Sequence, residues 1–339
     1  MTRETDSPVG SGTVFKLDPR EQHFRLPVDG TALSIFLRRL SSARPPKTRR
    51  VVLYLHGATF PSAVSIAYRF DGVSWRDALN QSGFDVWGLD FLGFGESDRY
   101  PGQHRPPGGV APLCGADDAS RQLATALRFI VAHEGVERIS LISHSWGSMP
   151  AGRIVAAHPQ LIDRWVLFAP LAAREPARYQ PALELGAWRL VSLEDQWLRF
   201  VEDLPPNETP VLERRTFDAW GQAYLDSDRS ARSHAPPAVN TPLGPLFEIL
   251  KAWRGELAWE PERIECPVAL IRGEWDGLVT DADASRLLGQ MSRATHKRDI
   301  KISRGTHLLH LEKMRAALWR ESIAFLEGES FLPDDRPAI

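Results

Sequence analysis

The sequence predicts an α/β protein built on a mostly parallel, doubly wound sheet that is interrupted by an inserted helical cap. Three observations support this prediction. Short continuous apolar runs recur along the chain, as strands buried on both faces require. Helix-length amphipathic stretches separate most of these runs, and the alternation of strand with helix favours a parallel sheet. One long interval rich in Trp and Pro breaks the alternation before it resumes.

The apolar runs locate the strands of the predicted sheet. Two short segments ahead of the first run flank Asp29-Gly30, a dipeptide typical of a hairpin turn. The hairpin strands are predicted over 23–28 and 33–38, the core strands over 51–55, 84–89, 139–142, 165–168 and 268–271, and the last strand over 297–302. Helices are predicted over 117–133, 148–157 and 312–327.

The interval that breaks the alternation defines the domain organisation. A chain of 339 residues suits one large core with an insertion better than two independent halves. We therefore predict an α/β core made of residues 1–170 and 262–339. Residues 171–261 are expected to form the cap, as short helices without a strand.

The composition narrows the classes of partner. The formal net charge of -2 shows no bias toward polyanions, so nucleic acid is not expected as a partner. Cys114 and Cys266 are too few for a disulfide framework and lie in no metal-binding motif, so neither a metal nor another cofactor is expected. No apolar run suits a signal peptide or a membrane span. We expect a cytoplasmic protein acting on a small molecule, and the sequence carries no signal for an oligomeric state.

A serine lies where a predicted strand meets a predicted helix. The strand over 139–142 runs into residues 143–148, Ser-His-Ser-Trp-Gly-Ser, and then into the helix over 148–157. A tight turn of this kind lifts the hydroxyl of its central residue, Ser145, above the sheet, and small neighbours let strand and helix approach. The alternative is that Ser145 only caps the helix, since serine is a favoured N-cap residue.

An acid and a histidine follow later strands. Asp276 comes just past the run over 268–271, and His307 follows Gly305-Thr306 after the last strand. Asp281 and Asp283 open the next helix, where carboxylates suit the helix dipole, so a structural role fits them better. His310, one helical turn beyond His307, is the competing base.

Two loops complete the pattern. Residues 56–59, His-Gly-Ala-Thr, follow the strand over 51–55, and we expect the His56 ring to brace this loop. Residues 90–97 read D-x-x-G-x-G-x-S, in which the glycines meet tight-turn geometry. The second loop lacks the lysine and the spacing of a phosphate-binding loop.

These motifs, in this order, resemble the α/β-hydrolase superfamily. Ser145 occupies the nucleophile position of the G-x-S-x-G motif, although Ser143 replaces the first glycine. The resemblance implies a catalytic triad in which His307 is the general base and Asp276 orients it. It also implies an oxyanion hole formed by the backbone N–H groups of Ala58 and Trp146, with Thr59 as the alternative to Ala58.

The residue at this turn limits the reactions that are expected within this superfamily. Haloalkane dehalogenases and epoxide hydrolases use aspartate there, which Ser145 argues against. The loop 56–59 also departs from the H-G-G-P-G loop of prolyl iminopeptidases. We therefore predict hydrolysis of a carboxylic ester, lactone or thioester through an acyl-enzyme. The alternatives are an amidase or aminopeptidase of the prolyl iminopeptidase type and a non-catalytic ligand-binding protein on the same scaffold.

Aromatic residues of the cap suggest the kind of substrate. Aromatic side chains that line a pocket favour apolar or aromatic ligands. The alternative is that they pack the cap onto the core. The predicted substrate-binding residues are Thr59, Trp188, Trp197, Trp220, Tyr224 and Trp253.

Overall fold

An eight-stranded sheet lies at the centre of the molecule in a computed structural model that describes residues 17–44, 49–175 and 182–328. Its strands follow the spatial order β1-β2-β4-β3-β5-β6-β9-β10, while β7 pairs with β8 in a separate ribbon. In chain order the strands are β1 (Gln22–Pro27), β2 (Ser34–Leu40), β3 (Arg50–Leu55), β4 (Phe84–Asp90), β5 (Ile139–His144), β6 (Ile162–Phe168), β7 (Trp188–Ser192), β8 (Ala238–Pro242), β9 (Val268–Gly273) and β10 (Lys297–Ile302).

The pairing of the strands confirms the predicted fold class. The pairs β1–β2 and β2–β4 are antiparallel, and the other pairs of the large sheet are parallel. The hairpin is present, and the core strands contain the predicted apolar runs, each extended by one to three residues. The part of the loop after β2 that spans residues 45–48 lies outside the described residues.

Helices cover both faces of the sheet. Alternate residues of β3 show this: Leu53 belongs to the apolar cluster that contains α2 and α3, and Val52 to the cluster that contains α1 and α8. Within the described residues, no helix combines the length and the apolar character needed to cross a membrane. The helices are α1 (Trp75–Gln81), α2 (Ala116–Glu134), α3 (Ser148–Ala157), α4 (Leu193–Val201), α5 (Arg214–Asp226), α6 (Gly244–Ala252), α7 (Asp281–Gln290) and α8 (Arg315–Glu327).

The last helix begins later than predicted. Helix α8 starts at Arg315 instead of residue 312, because Leu309–Leu311 form a 3-10 turn and Glu312 follows in extended conformation. The buried Glu312 carboxyl group binds Thr306.

The interval between β6 and β9 contains strands as well as helices, so the prediction of a cap without strands was wrong. Strands β7 and β8 pair antiparallel, with Leu190 opposite Asn240. Each has only five residues and finds its partner far away in the sequence. The stability of a short strand of this kind depends on its partner more than on its own composition. Its sequence therefore contains no apolar run that would predict it.

Helix α5 packs this interval onto the core. Phe60 and Val64, from the loop after β3, share an apolar cluster with Phe217, Trp220 and Tyr224. The rings of Phe60 and Trp220 meet edge to face with centroids 5.0 Å apart. The indole Nε1 of Trp220 donates a hydrogen bond to the carbonyl oxygen of Val64 over 2.9 Å. These contacts hold the α5 side of the interval beside the carboxyl end of β3.

Candidate active site

Ser145 lies at the turn between β5 and α3. Its φ angle is +52°, in the left-handed region that residues other than glycine rarely adopt. Such strain persists only where the surrounding structure enforces it. A Cβ atom on Gly147 would lie 2.6 Å from the carbonyl oxygen of His56, so the turn needs glycine there to pass the β3 loop. The geometry is that of a nucleophile elbow.

Ser143, which departs from the motif, has a partner of its own. Its Oγ accepts a hydrogen bond of 2.9 Å from the indole Nε1 of Trp165, on the neighbouring strand β6. Both residues are fully buried. A buried indole N–H without a partner is unfavourable, so this serine supplies an acceptor that glycine would lack.

His307 connects Ser145 with Asp276. Its Nε2 lies 2.8 Å from Ser145 Oγ, and its Nδ1 lies 3.0 Å from each carboxylate oxygen of Asp276. Asp276 Oδ1 also accepts the backbone N–H groups of Leu278 and Val279 at 2.9 and 3.0 Å. Because a carboxylate accepts hydrogen bonds, it selects the tautomer with the proton on Nδ1 and leaves Nε2 free to accept from Ser145.

Two further histidines lie close to His307. The ring of His144 lies 4.5 Å from that of His310 and 5.2 Å from that of His307. Burial lowers the pKa of His310 to about 3, with a smaller effect from the charge of His307. Neither ring nitrogen of His310 has a partner among the described residues. His307 therefore contacts Ser145, and the competing His310 does not.

His144 supports the backbone of His307. Its Nε2 lies 3.1 Å from the carbonyl oxygen of His307, which can only accept a hydrogen bond. Burial, followed by the charges of His310 and His307, lowers the pKa of His144 well below its ordinary value. The neutral ring therefore carries its proton on Nε2 and donates it to His307.

Glu312 holds the other side of the same loop. Its Oε2 accepts the backbone N–H of Thr306 over 3.0 Å, and its Oε1 is hydrogen-bonded to the Thr306 hydroxyl. Burial, with a smaller effect from the charge of Asp276, raises the pKa of Glu312 to about 8. The hydrogen bonds from Thr306 oppose this rise. The group is mostly protonated at neutral pH and adds little negative charge near Asp276.

The candidate oxyanion donors come from two segments, the loop after β3 and the turn after β5. Within the described residues, neither Ala58 N nor Trp146 N donates a hydrogen bond to a protein acceptor. His56 braces this loop as expected, since its Nδ1 contacts the Gly57 carbonyl at 2.7 Å and its Nε2 accepts from Phe91 N at 3.1 Å. The Thr59 amide is also unpaired in this part of the chain, so both loop amides stay candidates.

The loop over 90–97 braces the same region. Asp90 Oδ1 accepts from both the backbone N–H and the hydroxyl of Ser62, at 2.7 and 2.6 Å. A Cβ atom on Gly95, whose φ is +51°, would lie 2.2 Å from Asp90 Oδ2. The tight-turn role predicted for these glycines therefore holds at Gly95.

A pocket opens beside the Ser145 hydroxyl. Besides Ser145 and His307, the predicted residues Ala58, Thr59 and Trp253 line it. Its apolar lining comes partly from α6 and the residues before it, and partly from the loops after β9 and β10. These side chains belong to Pro242, Leu243, Leu246, Ile249, Leu278 and Leu308.

Four predicted substrate-binding residues are not among the described residues that line this pocket. Trp220 and Tyr224 are fully buried and stack on each other with centroids 5.4 Å apart. Trp188 Nε1 donates to the carbonyl oxygen of Arg105 over 2.9 Å. Trp197 packs on Phe217. These contacts favour the alternative interpretation, in which the aromatic residues pack the cap onto the core.

The pocket lining includes three charged residues that the sequence did not predict. Arg189 comes from β7, Arg199 from α4, and Glu202 from the residue after α4. No local pattern marks them, because their position depends on the pairing of β7 with β8. The apolar spacing within α6 was the one signal that could have indicated a lining helix.

Comparison of the sequence with family models matches residues 50–314 to the α/β-hydrolase fold. The match covers more than half of the chain and includes Ser145, Asp276 and His307. Together with the sheet order and the elbow, it shows that the chain belongs to the α/β-hydrolase fold family. No curated protein matches the sequence.

Solved structures of low sequence identity share this fold. A thioesterase domain from the curacin biosynthetic pathway aligns with a TM-score of 0.58 and 15% identity, over 90% of this chain and 99% of that chain. A serine hydrolase from the polyaromatic hydrocarbon-degrading bacterium Cycloclasticus zankles aligns with a TM-score of 0.58 and 14% identity, over 91% and 98%. A monoacylglycerol lipase from Paleococcus ferrophilus gives 0.54 and 18%, over 86% and 98%.

Proposed function

We propose that the protein is a serine hydrolase that cleaves a carboxylic ester, including a lactone or thioester, of a small molecule with an apolar part. One observation supports this above all others. The Ser145 hydroxyl is hydrogen-bonded to His307, His307 to Asp276, and the hydroxyl faces a pocket. The apolar lining from α6 suits the apolar part of the substrate.

The proposed reaction begins with attack of Ser145 Oγ on the carbonyl carbon while His307 Nε2 takes the hydroxyl proton. The backbone N–H groups of Trp146 and of Ala58 or Thr59 stabilise the negative charge that forms on the carbonyl oxygen. Collapse of this intermediate breaks the bond to the leaving group, which receives the proton from His307. Water then attacks the acyl-enzyme, gives a proton to His307, and the acid product leaves as Ser145 recovers its hydrogen.

The predicted cap, residues 171–261, supplies much of the pocket lining. Arg189, Arg199, Leu246 and Trp253 all come from this interval. In a parallel sheet the carboxyl ends of the strands lie on one rim, so an insertion after β6 is placed above Ser145. This placement supports the interpretation of the interval as a cover that controls access.

Variants of the two reacting residues test the proposal. Ser145→Ala and His307→Ala should each lower turnover of a p-nitrophenyl ester on the order of 10⁴- to 10⁶-fold, and the double variant should be little worse than either, because both act in one step. Steady-state kinetics with ester, lactone, thioester and amide substrates measure the loss and the bond preference.

The matched control is Ser292→Ala, an exposed serine beyond α7, which should behave like the wild type. A fluorophosphonate should label the native protein at Ser145, as read by mass spectrometry of peptides. Ester hydrolysis that persists in the Ser145→Ala variant would contradict the proposal. Failure to label Ser145 would favour a binding protein on this scaffold, and a preference for amides would favour a peptidase.

A further inference from the structure

Two guanidinium groups share the pocket with Ser145. Arg189 lies on β7 and Arg199 on α4, and both line the pocket together with Glu202. Two arginines at an apolar substrate pocket are unexpected, because bringing like charges together is unfavourable unless an anion compensates them. Their presence calls for a partner of negative charge.

Arg189 is not held by a hydrogen bond or an ion pair in the part of the chain that the structure describes. Among the described residues no hydrogen bond or ion pair involves its side chain, whereas Arg38 and Arg174 are paired with Glu21 and Asp283. Arg189 lines the pocket and is exposed to solvent. Partial burial and then the charge of Arg199 lower its pKa. An anion seated between the two guanidinium groups would relieve this repulsion.

The charged residues among those that line the pocket leave one positive charge without a counter-charge in the lining. Arg199 is paired with Glu202 over 3.2 Å, so the two arginines and the one glutamate sum to +1. The charge of Asp195 acts on Arg189 from outside this lining, and its carboxylate is hydrogen-bonded to the backbone N–H and hydroxyl of Ser192 at the start of α4. A singly charged group matches the charge of the lining, and a doubly charged phosphate would exceed it.

Much of the remaining lining of the pocket is apolar. Leu246, Ile249 and Trp253 of the α6 segment line it together with Leu278 and Leu308. A ligand complementary to the whole lining carries a reactive carbonyl for Ser145, an apolar chain and a negatively charged group for the arginines. Guanidinium groups recognise carboxylates through paired hydrogen bonds.

We propose that the pocket selects esters whose acyl chain ends in a carboxylate, with Arg189 and Arg199 binding that carboxylate. This inference rests on the proposed function, and it adds the substrate class. Arg189 is the principal binding residue because, among the described residues, its side chain forms no hydrogen bond or ion pair, whereas Arg199 shares its charge with Glu202.

The test compares p-nitrophenyl esters of one chain length that differ only at the far end. The series covers acyl chains of about five to eight carbons, ending in a carboxylate, a primary amide or a phosphonate. The wild type should show a higher kcat/KM for the carboxylate ester than for the amide ester at the fitting length. Arg189→Gln should lower the ratio of these two constants by about 10- to 100-fold, the range of a hydrogen bond to a charged group.

Two other variants serve as a control and as a test of the opposite change in charge. Arg215→Gln removes the same charge from an exposed position outside the pocket, where Arg215 pairs with Glu213, and should leave the ratio unchanged. Glu202→Gln removes the negative charge beside Arg199 and should raise the ratio. Thermal melts establish that each variant is folded.

Several outcomes would overturn the inference while the proposed function stands: equal use of the carboxylate and amide esters, an unchanged ratio in Arg189→Gln, or a preference for phosphonate. If no ester is cleaved through Ser145, the proposed function fails. A binding measurement then tests whether the two arginines bind a carboxylate. Adipate, but not adipamide, should raise the melting temperature of the wild type and not that of Arg189→Gln. Absence of this difference would overturn the carboxylate site as well.

Discussion

His307 meets Ser145 from a position 162 residues further along the chain, and two buried carboxyl groups hold its surroundings in place. Asp276 accepts hydrogen bonds from His307 and from two backbone N–H groups. Glu312 binds Thr306, and burial raises its pKa to about 8. At the residue scale, one carboxyl group therefore orients the imidazole, and a second one, mostly protonated at neutral pH, holds the residue before it.

The raised pKa of Glu312 predicts a pH dependence of stability. Because the pKa rises on folding from 4.5 to about 8, its contribution is fully present below about pH 4.5 and is lost as the pH rises through 8. Glu312→Gln retains the acceptor and donor for Thr306 but cannot ionise. The wild type should therefore lose on the order of 3 kcal/mol of unfolding free energy between pH 5 and 9 that the variant keeps.

Urea unfolding at a series of pH values measures this difference. The control is Glu194→Gln, since Glu194 is exposed on the first turn of α4, and this variant should follow the wild-type pH curve. Parallel curves for the wild type and Glu312→Gln would show that Glu312 does not ionise in this range.

At the scale of elements, the site depends on how closely the turn before α3 passes the end of β3. The carbonyl oxygens of His56 and Leu55 would lie 2.6 and 2.9 Å from a Cβ atom at position 147. Both are backbone atoms, which cannot rotate away. The elbow and the loop that carries Ala58 are therefore fitted to each other.

Gly147→Ala should separate these two elements. We expect a loss of about 1 to 3 kcal/mol of unfolding free energy from the forced backbone shift. Turnover should fall by more than 10-fold, because a shift of the β3 loop moves the amide donors away from Ser145. Chemical unfolding and ester kinetics on the same preparation measure the two effects.

Gly289→Ala is the matched control for this change. Gly289 lies within α7, and a Cβ atom there would have no neighbour within 4 Å. Alanine is the better helix former, so this variant should be as stable as the wild type or more stable, with unchanged turnover. An equally stable and active Gly147→Ala protein would show that the elbow tolerates a wider spacing.

At the scale of the whole molecule, a buried ion network ties the edge of the sheet to the first helix. Glu21, ahead of β1, forms ion pairs with Arg38 on β2 and, at 2.5 Å, with Arg76 on α1. His23 contacts the same carboxylate at 2.6 Å. Burial alone would raise the pKa of Glu21, but the His23 hydrogen bond and the two arginine charges lower it to about 2.

Glu21→Gln should destabilise the fold by about 3 to 5 kcal/mol at neutral pH, because it leaves two buried arginines without their counter-charge. The pKa of Glu21 falls on folding from 4.5 to about 2, so its contribution is fully present above about pH 4.5 and is lost as the pH falls through 2. Urea unfolding at pH 7 and acid titration followed by circular dichroism measure these effects. Glu256→Gln, at an exposed pair with Lys251, should change stability by less than about 0.5 kcal/mol.

The sequence by itself determined the parts of this protein that rest on local patterns. Continuous apolar runs marked the parallel strands, because a strand buried on both faces has no polar side. The Ser-x-Gly turn after β5 and the positions of Asp276 and His307 after later strands indicated the site, since parallel strands bring their carboxyl ends to one rim. Family resemblance then suggested roles for these residues.

Tertiary structure alone decided the features that depend on distant partners. Strands β7 and β8 stabilise each other, so neither is visible in its own residues. The direction of a cap side chain follows from packing: Trp220 is buried beside Phe60, whereas Trp253 faces the pocket. The unpaired Arg189 and the raised pKa of Glu312 likewise arise from neighbours far away in the sequence, because charge and burial act through space.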